Sequence, residues 1–342
     1  MTYSNILIVK LSAIGDVIHA LPVAPALKKQ FPQARITWVV EKTAYDLLVN
    51  NPYIDELILF EKTKYKTLSG FVGHAPRFIN NLRKLHFDLA IDLQGLFKSS
   101  IISFLSGATT RLVYENSREG SHLLSRRIVG PHAAGHVVDR YLDVVRALGC
   151  QIEETVFPIV VTEREAVQAR NIMTHAGLPE GTPYIVLALG ANWPNKIWPA
   201  EYFAELCDCM QESGIAVPVI VGGPGDQPLQ DRLVAKVQIP PISLVGKTTL
   251  KQLAFVIKNA QAFIGGDTGP MHLAAALATP TIALMGPTDA VRNGPYGQGH
   301  KALITAHECA GCWRRKCPGD KDCLAGIGVN TVYQALQEIM RR

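Results

Sequence analysis

Residues 265–289, GGDTGPMHLAAALATPTIALMGPTD, hold the densest set of side chains suited to binding a polar ligand. Gly265 and Gly266 permit close backbone approach. Asp267 can accept hydrogen bonds from a ligand, and Thr268 can donate and accept them. Beyond Gly269 and Pro270 a helix begins, and its first N–H groups suit an anion. An ordinary N-cap accounts for Asp267 or Thr268, with Pro270 at an early helical position. It does not account for both glycines, both polar residues and His272 together. The elements that must hold this turn are legible. An apolar approach over 262–264 leads in, a small-residue helix spans 272–277, and a second apolar run covers 281–285. Strand, turn, helix, strand places the turn at the carboxyl end of a strand, where open α/β sheets bind ligands.

Two further residues stand at similar positions. Asp16 follows the first apolar run in KLSAIGD. It fits an N-cap for a helix starting at Val17, worth ~1 kcal/mol. It equally fits a general base that takes a proton from an attacking hydroxyl. Lys196 stands in GANWPNKIW, ahead of a helix whose positive dipole end does not favour a cation. An anionic ligand gives that charge a reason, although exposed lysines are common on any surface.

Alternation of short apolar runs and helical patterns fills both halves of the chain. Strands are expected over 6–9, 36–40, 56–60 and 87–93, with helices over 17–30, 45–49, 71–84 and 96–105. The rhythm restarts after a charged helical segment at 163–177. Strands then follow over 184–189 and 217–221, with helices over 198–213, 227–236 and 250–259. Such alternation implies parallel sheets covered on both faces. The chain, at 342 residues, exceeds the size of one ordinary core. The expected domains are 1–170 and 171–328, with a terminal helix over 329–342 of undetermined docking.

Missing motifs weaken the dehydrogenase and kinase readings and leave a Ser nucleophile unsupported. Only Gly15 follows the first strand, where a dinucleotide fingerprint needs G-x-G-x-x-G. Val245-Gly246-Lys247-Thr248-Thr249 imitates the end of a P-loop, but Pro241 occupies the place of its first glycine. No G-x-S-x-G nucleophile elbow occurs.

Hydrophobic residues make up 48% and charged residues 18%, the balance of a globular protein. A net charge of +5 gives a mild bias toward anionic partners, too weak to indicate nucleic acid. Lys62, Lys64 and Lys66, then Arg77, Arg83 and Lys84, concentrate positive charge that would suit a phosphorylated or carboxylated acceptor at a membrane surface. The N-terminal apolar run is short and interrupted by Lys10 and Asp16, unlike a signal peptide. No segment approaches the ~18–20 apolar residues of a membrane span. A cytoplasmic protein, at most peripheral on a membrane, is expected.

Among seven cysteines, Cys150, Cys207 and Cys209 sit in packing contexts. Cys309, Cys312, Cys317 and Cys323 form C-x2-C-x4-C-x5-C in a Gly/Pro/basic loop. That density suits a metal or redox-sensitive site. A zinc held by four thiolates would be structural, although the spacing is tighter than in a two-knuckle module.

Taken together, Lys10-x-Ser12-x-x-Gly15-Asp16, Asn195-Lys196-x-Trp198-Pro199, Asp267-Thr268-Gly269-x-x-His272 and Gly286-Pro287-Thr288-Asp289 resemble the bacterial heptosyltransferases of glycosyltransferase family 9. Ile91-Asp92-Leu93-Gln94-Gly95-Leu96-x-Lys98-Ser99 and Ser117-Arg118-Glu119 look more like the type I enzymes than type II. The resemblance implies a GT-B fold, two Rossmann-like parallel-sheet domains facing a central cleft. The acceptor, Kdo–lipid A, would bind the N-terminal domain and ADP-heptose the C-terminal one. It also implies an inverting single displacement with no metal and no cofactor, at the cytoplasmic face of the inner membrane.

On that likeness Asp16 is the general base. Asn192, Lys196, Asp226, Thr248, Asp267, Thr268, Gly269 and His272 would bind the donor. Lys62, Lys64, Lys98 and Arg118 would meet the anionic acceptor. The chain departs from the family pattern at Pro270, where leucine is expected, and at Ala191 and Asn192, where threonines often stand. Asp226 is taken as the ribose-contacting acid. Alternatives are a type II or other family 9 transferase with a different acceptor, and a non-catalytic nucleotide-sugar-binding protein. Retention of both Asp16 and Lys196 argues against the last, since a binder needs no base.

Overall fold

A computed structural model describes residues 2–65, 67–319 and 322–341. Lys66, counted in the basic run above, lies outside the described residues. The chain divides into two compact units, Met1–Val160 and Val161–Arg342.

The first unit contains strands β1 (Asn5–Val9), β2 (Arg35–Val40), β3 (Glu56–Leu59), β4 (Leu89–Asp92), β5 (Thr110–Tyr114) and β6 (Arg126–Ile128). All pair in parallel, in the order β3-β2-β1-β4-β5-β6. In β1 the run Ile6-Leu7-Ile8-Val9 is wholly buried. Continuous burial is what a strand covered by helices on both faces requires, so its sequence is apolar without alternation.

The second unit repeats the plan. Its strands are β7 (Tyr184–Ala188), β8 (Val217–Val221), β9 (Ile242–Ser243), β10 (Ala262–Gly266), β11 (Thr281–Met285) and β12 (Lys301–Ile304). Their order is β12-β11-β10-β7-β8-β9, again parallel throughout. Each sheet therefore has the doubly wound order in which the chain reverses direction next to its first strand. The switch points fall between β1 and β4, and between β7 and β10, and these are the ligand crevices of such sheets.

The structure differs from the sequence expectations in identifiable places. The helix expected over 17–30 is two helices, Ile14–Ala20 and Val23–Gln30. Pro22 cannot donate the bond that a continuous helix needs there, so the chain breaks at Leu21-Pro22. Strands β5, β6, β9 and β12 were not expected. Thr110, Arg111, Arg126, Arg127, Ser243 and Lys301 interrupt their apolar runs, and β9 has two residues. A further helix beyond the sequence expectations, Val137–Arg146, buries Val137, Val138, Tyr141, Leu142, Val144 and Val145.

The unit boundary falls ahead of the helix Glu163–His175, which a boundary at 170 would cut. That helix starts on a Thr162 cap whose Oγ1 accepts the Glu165 N–H. It packs on the helix Leu250–Lys258, with Gln252 Nε2 donating to Gln168 Oε1 at 3.2 Å and Arg170 over the Phe255 ring. The terminal helix, Val329–Met340, docks in the second unit. Val329, Val332, Leu336 and Ile339 join Trp198, Phe203, Ile264 and Leu284 in its core. No helix among the described residues is long and apolar enough to cross a membrane.

Candidate active site

Every candidate donor residue lies past the carboxyl end of a strand of the second sheet. Asn192 and Lys196 follow β7, Asp226 follows β8, Thr248 follows β9, and Asp267, Thr268, Gly269 and His272 follow β10. Three of them converge tightly. Lys196, on a short 3-10 turn, places Nζ 2.6 Å from Asp267 Oδ2, and His272 Nε2 lies 2.9 Å from Asp267 Oδ1. Thr288 Oγ1, beyond β11, donates to the same Oδ2 at 2.6 Å. Asp267 is 5% exposed. Burial pushes its carboxyl up, but the hydrogen bonds and charges of His272 and Lys196 outweigh it and hold Asp267 well below the ordinary carboxylate range.

Both oxygens of Asp267 are thus engaged by the protein, which ties Lys196 and His272 to the turn. The glycines before it are explained in the same way. A Cβ on Gly266 would stand 2.3 Å from the Lys196 carbonyl, and one on Gly265 3.0 Å from Ala188 Cβ. The close approach they permit is taken up by strand β7 at Gly265 and by the loop after it at Gly266. The helix start is narrower as an anion site than its sequence suggests. Thr268 sits at the N-cap of the helix Gly269–Ala276 without capping it, and its Oγ1 donates to the Gly266 carbonyl. Pro270 has no N–H and the Met271 N–H donates to the Thr268 carbonyl, so the first turn leaves the Gly269 N–H for a ligand.

Asp226 is held differently. Its Oδ2 accepts the Gly223 N–H at 2.7 Å. Cβ atoms built on Gly190 and Gly222 would stand 1.9 and 2.7 Å from its carboxylate oxygens. The glycines ending β7 and following β8 exist to let this carboxylate lie across the two strand ends. Asn192 is exposed and Thr248 half-buried; neither joins the Asp267 cluster.

In the first unit the candidate residues again gather past carboxyl strand ends. Asp16 is not an N-cap. The helix begins at Ile14, and Asp16, its third residue, turns Oδ2 back to the Ala13 N–H at 3.2 Å. The loop carrying it is tied across the switch point. Gln94 Oε1, just past β4, accepts the Leu11 and Ser12 N–H groups at 3.1 and 3.2 Å. Lys10, buried, donates to the Leu93 carbonyl at 3.0 Å and to Tyr141 Oη at 2.8 Å. Asp92, fully buried, accepts from the Gln94 and Gly95 N–H groups and from Ser99 and Ser100 Oγ. Burial pushes its carboxyl up despite those four donors.

The basic candidates divide. Lys98 Nζ is 2.8 Å from Glu41 Oε1, and Lys64 pairs with Glu61. Lys62 and Arg118 are exposed and have no carboxylate partner among the described residues. Gln94, Lys10 and Thr288 lay within motifs quoted from the sequence but were not assigned as site residues. Their spacing announced the motif, and only the fold shows what each one holds.

The four-cysteine loop lies against the segment that follows β11, with the Gly311 and Trp313 N–H groups donating to the Gly286 and Pro287 carbonyls. Cys309 and Cys312 are exposed and Cys323 is buried. Among the described residues no three His, Cys, Asp or Glu side chains converge in a way that would hold a metal ion. Burial, reinforced by the other three cysteines, pushes the Cys323 thiol up to about 11.

Two doubly wound parallel sheets, each with a polar array at its switch point, define the GT-B class of α/β glycosyltransferase. Residues 76–322 match the family model "Glycosyltransferase family 9 (heptosyltransferase)", and the chain belongs to that family. It is similar to lipopolysaccharide heptosyltransferase 1 of Pseudomonas aeruginosa, at 31% identity over 92% of this chain and 87% of that protein. Among solved structures it resembles a family 9 glycosyltransferase of Veillonella parvula, with a TM-score of 0.87, 26% identity and coverage of 100% of this chain and 98% of that one. The Escherichia coli heptosyltransferase WaaC, solved with ADP, superposes with a TM-score of 0.76 at 24% identity, over 98% of this chain and 99% of that one.

Proposed function

We propose that this transferase moves heptose from ADP-heptose to a Kdo sugar of Kdo–lipid A in building the lipopolysaccharide inner core. The observation carrying the donor half is the Lys196–Asp267–His272 cluster beside an uncapped helix start at the β7/β10 switch point. Its relatives are lipopolysaccharide heptosyltransferases, which supports heptose transfer, and a structural neighbour binds ADP.

The reaction is an inverting displacement that uses no metal. Asp16 takes the proton of the acceptor hydroxyl as its oxygen attacks the anomeric carbon, and the bond to the ADP oxygen breaks on the opposite side. The proton ends on Asp16 and the electron pair leaves with ADP. Lys196 and the Gly269 N–H at the start of the helix Gly269–Ala276 meet the charge that grows on the departing diphosphate. Asp267 holds Lys196 in place for that task, and Asp226 accepts from the ribose hydroxyls. Asn192 and Thr248 complete the donor contacts. Lys62, Lys64, Lys98 and Arg118 meet acid groups of the acceptor, and the protein works at the cytoplasmic face of the inner membrane.

The test is ADP release by the purified protein with ADP-heptose and Kdo2-lipid A. Release that depends on both substrates supports the assignment. Release only with an acceptor already carrying one heptose would make this a type II enzyme. Absence of release with either acceptor, despite ADP-heptose binding, would leave a nucleotide-sugar binder.

A further inference from the structure

The four-cysteine loop has no part in the reaction as derived above, yet it is fastened to the donor site at several points. Gly311 N–H donates to the Gly286 carbonyl at 2.8 Å, and Trp313 N–H to the Pro287 carbonyl at 2.7 Å. Cys323 packs so close to Gly286 that a Cβ there would stand 2.8 Å from its Sγ. From the other side, Asn195, the neighbour of Lys196, donates Nδ2 to the Arg314 carbonyl at 2.6 Å. These ties bring the next residue, Arg315, over the indole of Trp193, with its guanidinium carbon 5.3 Å from the ring centroid. The same ring carries Lys196 Nζ at 4.4 Å.

The ring attracts each cation, but the two repel each other, and an anion between them would relieve that repulsion. Lys196 alone does not supply the charge, because Asp267 is held ionised against it and the pair is close to neutral. Arg315 is exposed and has no carboxylate partner among the described residues. Its guanidinium is free to make paired, charge-assisted hydrogen bonds to phosphate oxygens. Asn195 Oδ1, buried without a partner beside it, marks the same spot as polar and incompletely satisfied.

We propose that Arg315, delivered by the four-cysteine loop onto Trp193, is a phosphate-binding residue for the donor's diphosphate. The inference rests on the ADP-sugar assignment. It gives the loop a task, which is to hold the second cation of the site at a fixed place.

Calorimetric titration of wild type, Arg315→Ala and Arg315→Lys with ADP, adenosine and inorganic pyrophosphate tests it. Arg315→Ala weakens ADP about tenfold, the size of one charge-assisted hydrogen bond, and leaves adenosine unchanged. Arg315→Lys recovers part of the ADP affinity. Equal ADP affinity in wild type and Arg315→Ala overturns the proposal. So does a parallel loss for ADP and adenosine, which would mean that the loop acts through shape. Pyrophosphate separates the two assignments. Pyrophosphate binding that depends on Arg315, in a protein without measurable affinity for ADP, upholds the phosphate site and removes the ADP donor. ADP binding indifferent to Arg315 does the reverse.

Discussion

The Asp267 carboxylate and the Lys196 ammonium, 2.6 Å apart and largely out of solvent, tie the β7 loop to the β10 turn. His272 and Thr288 complete the cluster from two further segments. The cluster therefore fixes the segments that follow β7, β10 and β11 relative to one another. Its value is in positioning, since a buried pair is weak evidence of net stabilisation, whereas removing one partner strands the other.

Lys196→Ala is accordingly expected to act twice. ADP affinity falls at least tenfold, and unfolding free energy falls by ~3 kcal/mol because a buried carboxylate loses its cation. Calorimetry and urea denaturation measure the two losses separately. Unchanged stability would mean that Asp267 is satisfied by His272 and Thr288 alone. The pH dependence has a definite sign. Asp267 titrates in the fold below its ordinary value of 3.8, so its contribution is complete above that value and lost as pH falls below it. Asp267→Asn should flatten the acid limb of the stability curve between about pH 4 and pH 2, and an unaltered limb would remove Asp267 as its source.

For Asp16→Ala, turnover should drop by a factor of about 10²–10⁴, the usual contribution of a general base. ADP-heptose binding should stay close to that of wild type, because Asp16 belongs to the first unit's sheet. The structural cost is small. Losing one bond to the Ala13 N–H in a helix's first turn is worth ~1 kcal/mol at most. Single-turnover rates beside donor affinity decide it, and wild-type-like turnover would sink the role.

Gln94→Ala tests whether the Asp16 loop must be held. The variant frees the Leu11 and Ser12 N–H groups that Gln94 Oε1 now accepts. The turnover number should fall about tenfold while KM for ADP-heptose is retained, since a base displaced by an ångström loses orientation first. A rise in that KM with unchanged turnover would contradict the positioning role.

The sequence made the strand-end motifs legible because apolar runs buried on both faces carry an unbroken signal, as in 6–9 and 281–285. It also marked Asp16, Lys196 and Asp267 as neighbours of strand ends. It did not reveal that Asp267 and Lys196 are partners, since they stand on different segments and only the β7–β10 pairing joins them. The glycines misled for a related reason. Gly265 and Gly266 announce close approach, but local sequence does not say whether a ligand or another loop approaches. The edge strands β6 and β9 were invisible because a strand of two or three residues, bearing arginine or serine, has no periodicity to read.

Gly190→Ala should be destabilising by ~1–3 kcal/mol, because its Cβ would overlap the Asp226 carboxylate and force that side chain from the strand ends. Donor affinity should drop with it. The paired variant distinguishes this cause from a general loss of glycine. In an Asp226→Ala background the obstacle is gone, and Gly190→Ala should cost little. Urea denaturation of the four proteins gives the coupling, and additive losses would refute the steric account.

The seven cysteines should separate by reactivity. Thiolate, not thiol, is the alkylated form, so a thiol pushed up by burial reacts slowly near neutral pH. Burial raises Cys150 to about 11 and, with some repulsion from Asp208, Cys207 to about 12; Cys323 is likewise raised to about 11. Cys309 and Cys312 are exposed. Iodoacetamide at about pH 8 should therefore label Cys309 and Cys312 first, with Cys150, Cys207 and Cys323 following only after denaturation. Peptide mass spectrometry over time reads the order. Protection of Cys309 and Cys312 in protein purified without chelator, lifted by a chelator, would instead mean that a metal draws the loop's thiolates together. Metal analysis of the same sample would then give its stoichiometry.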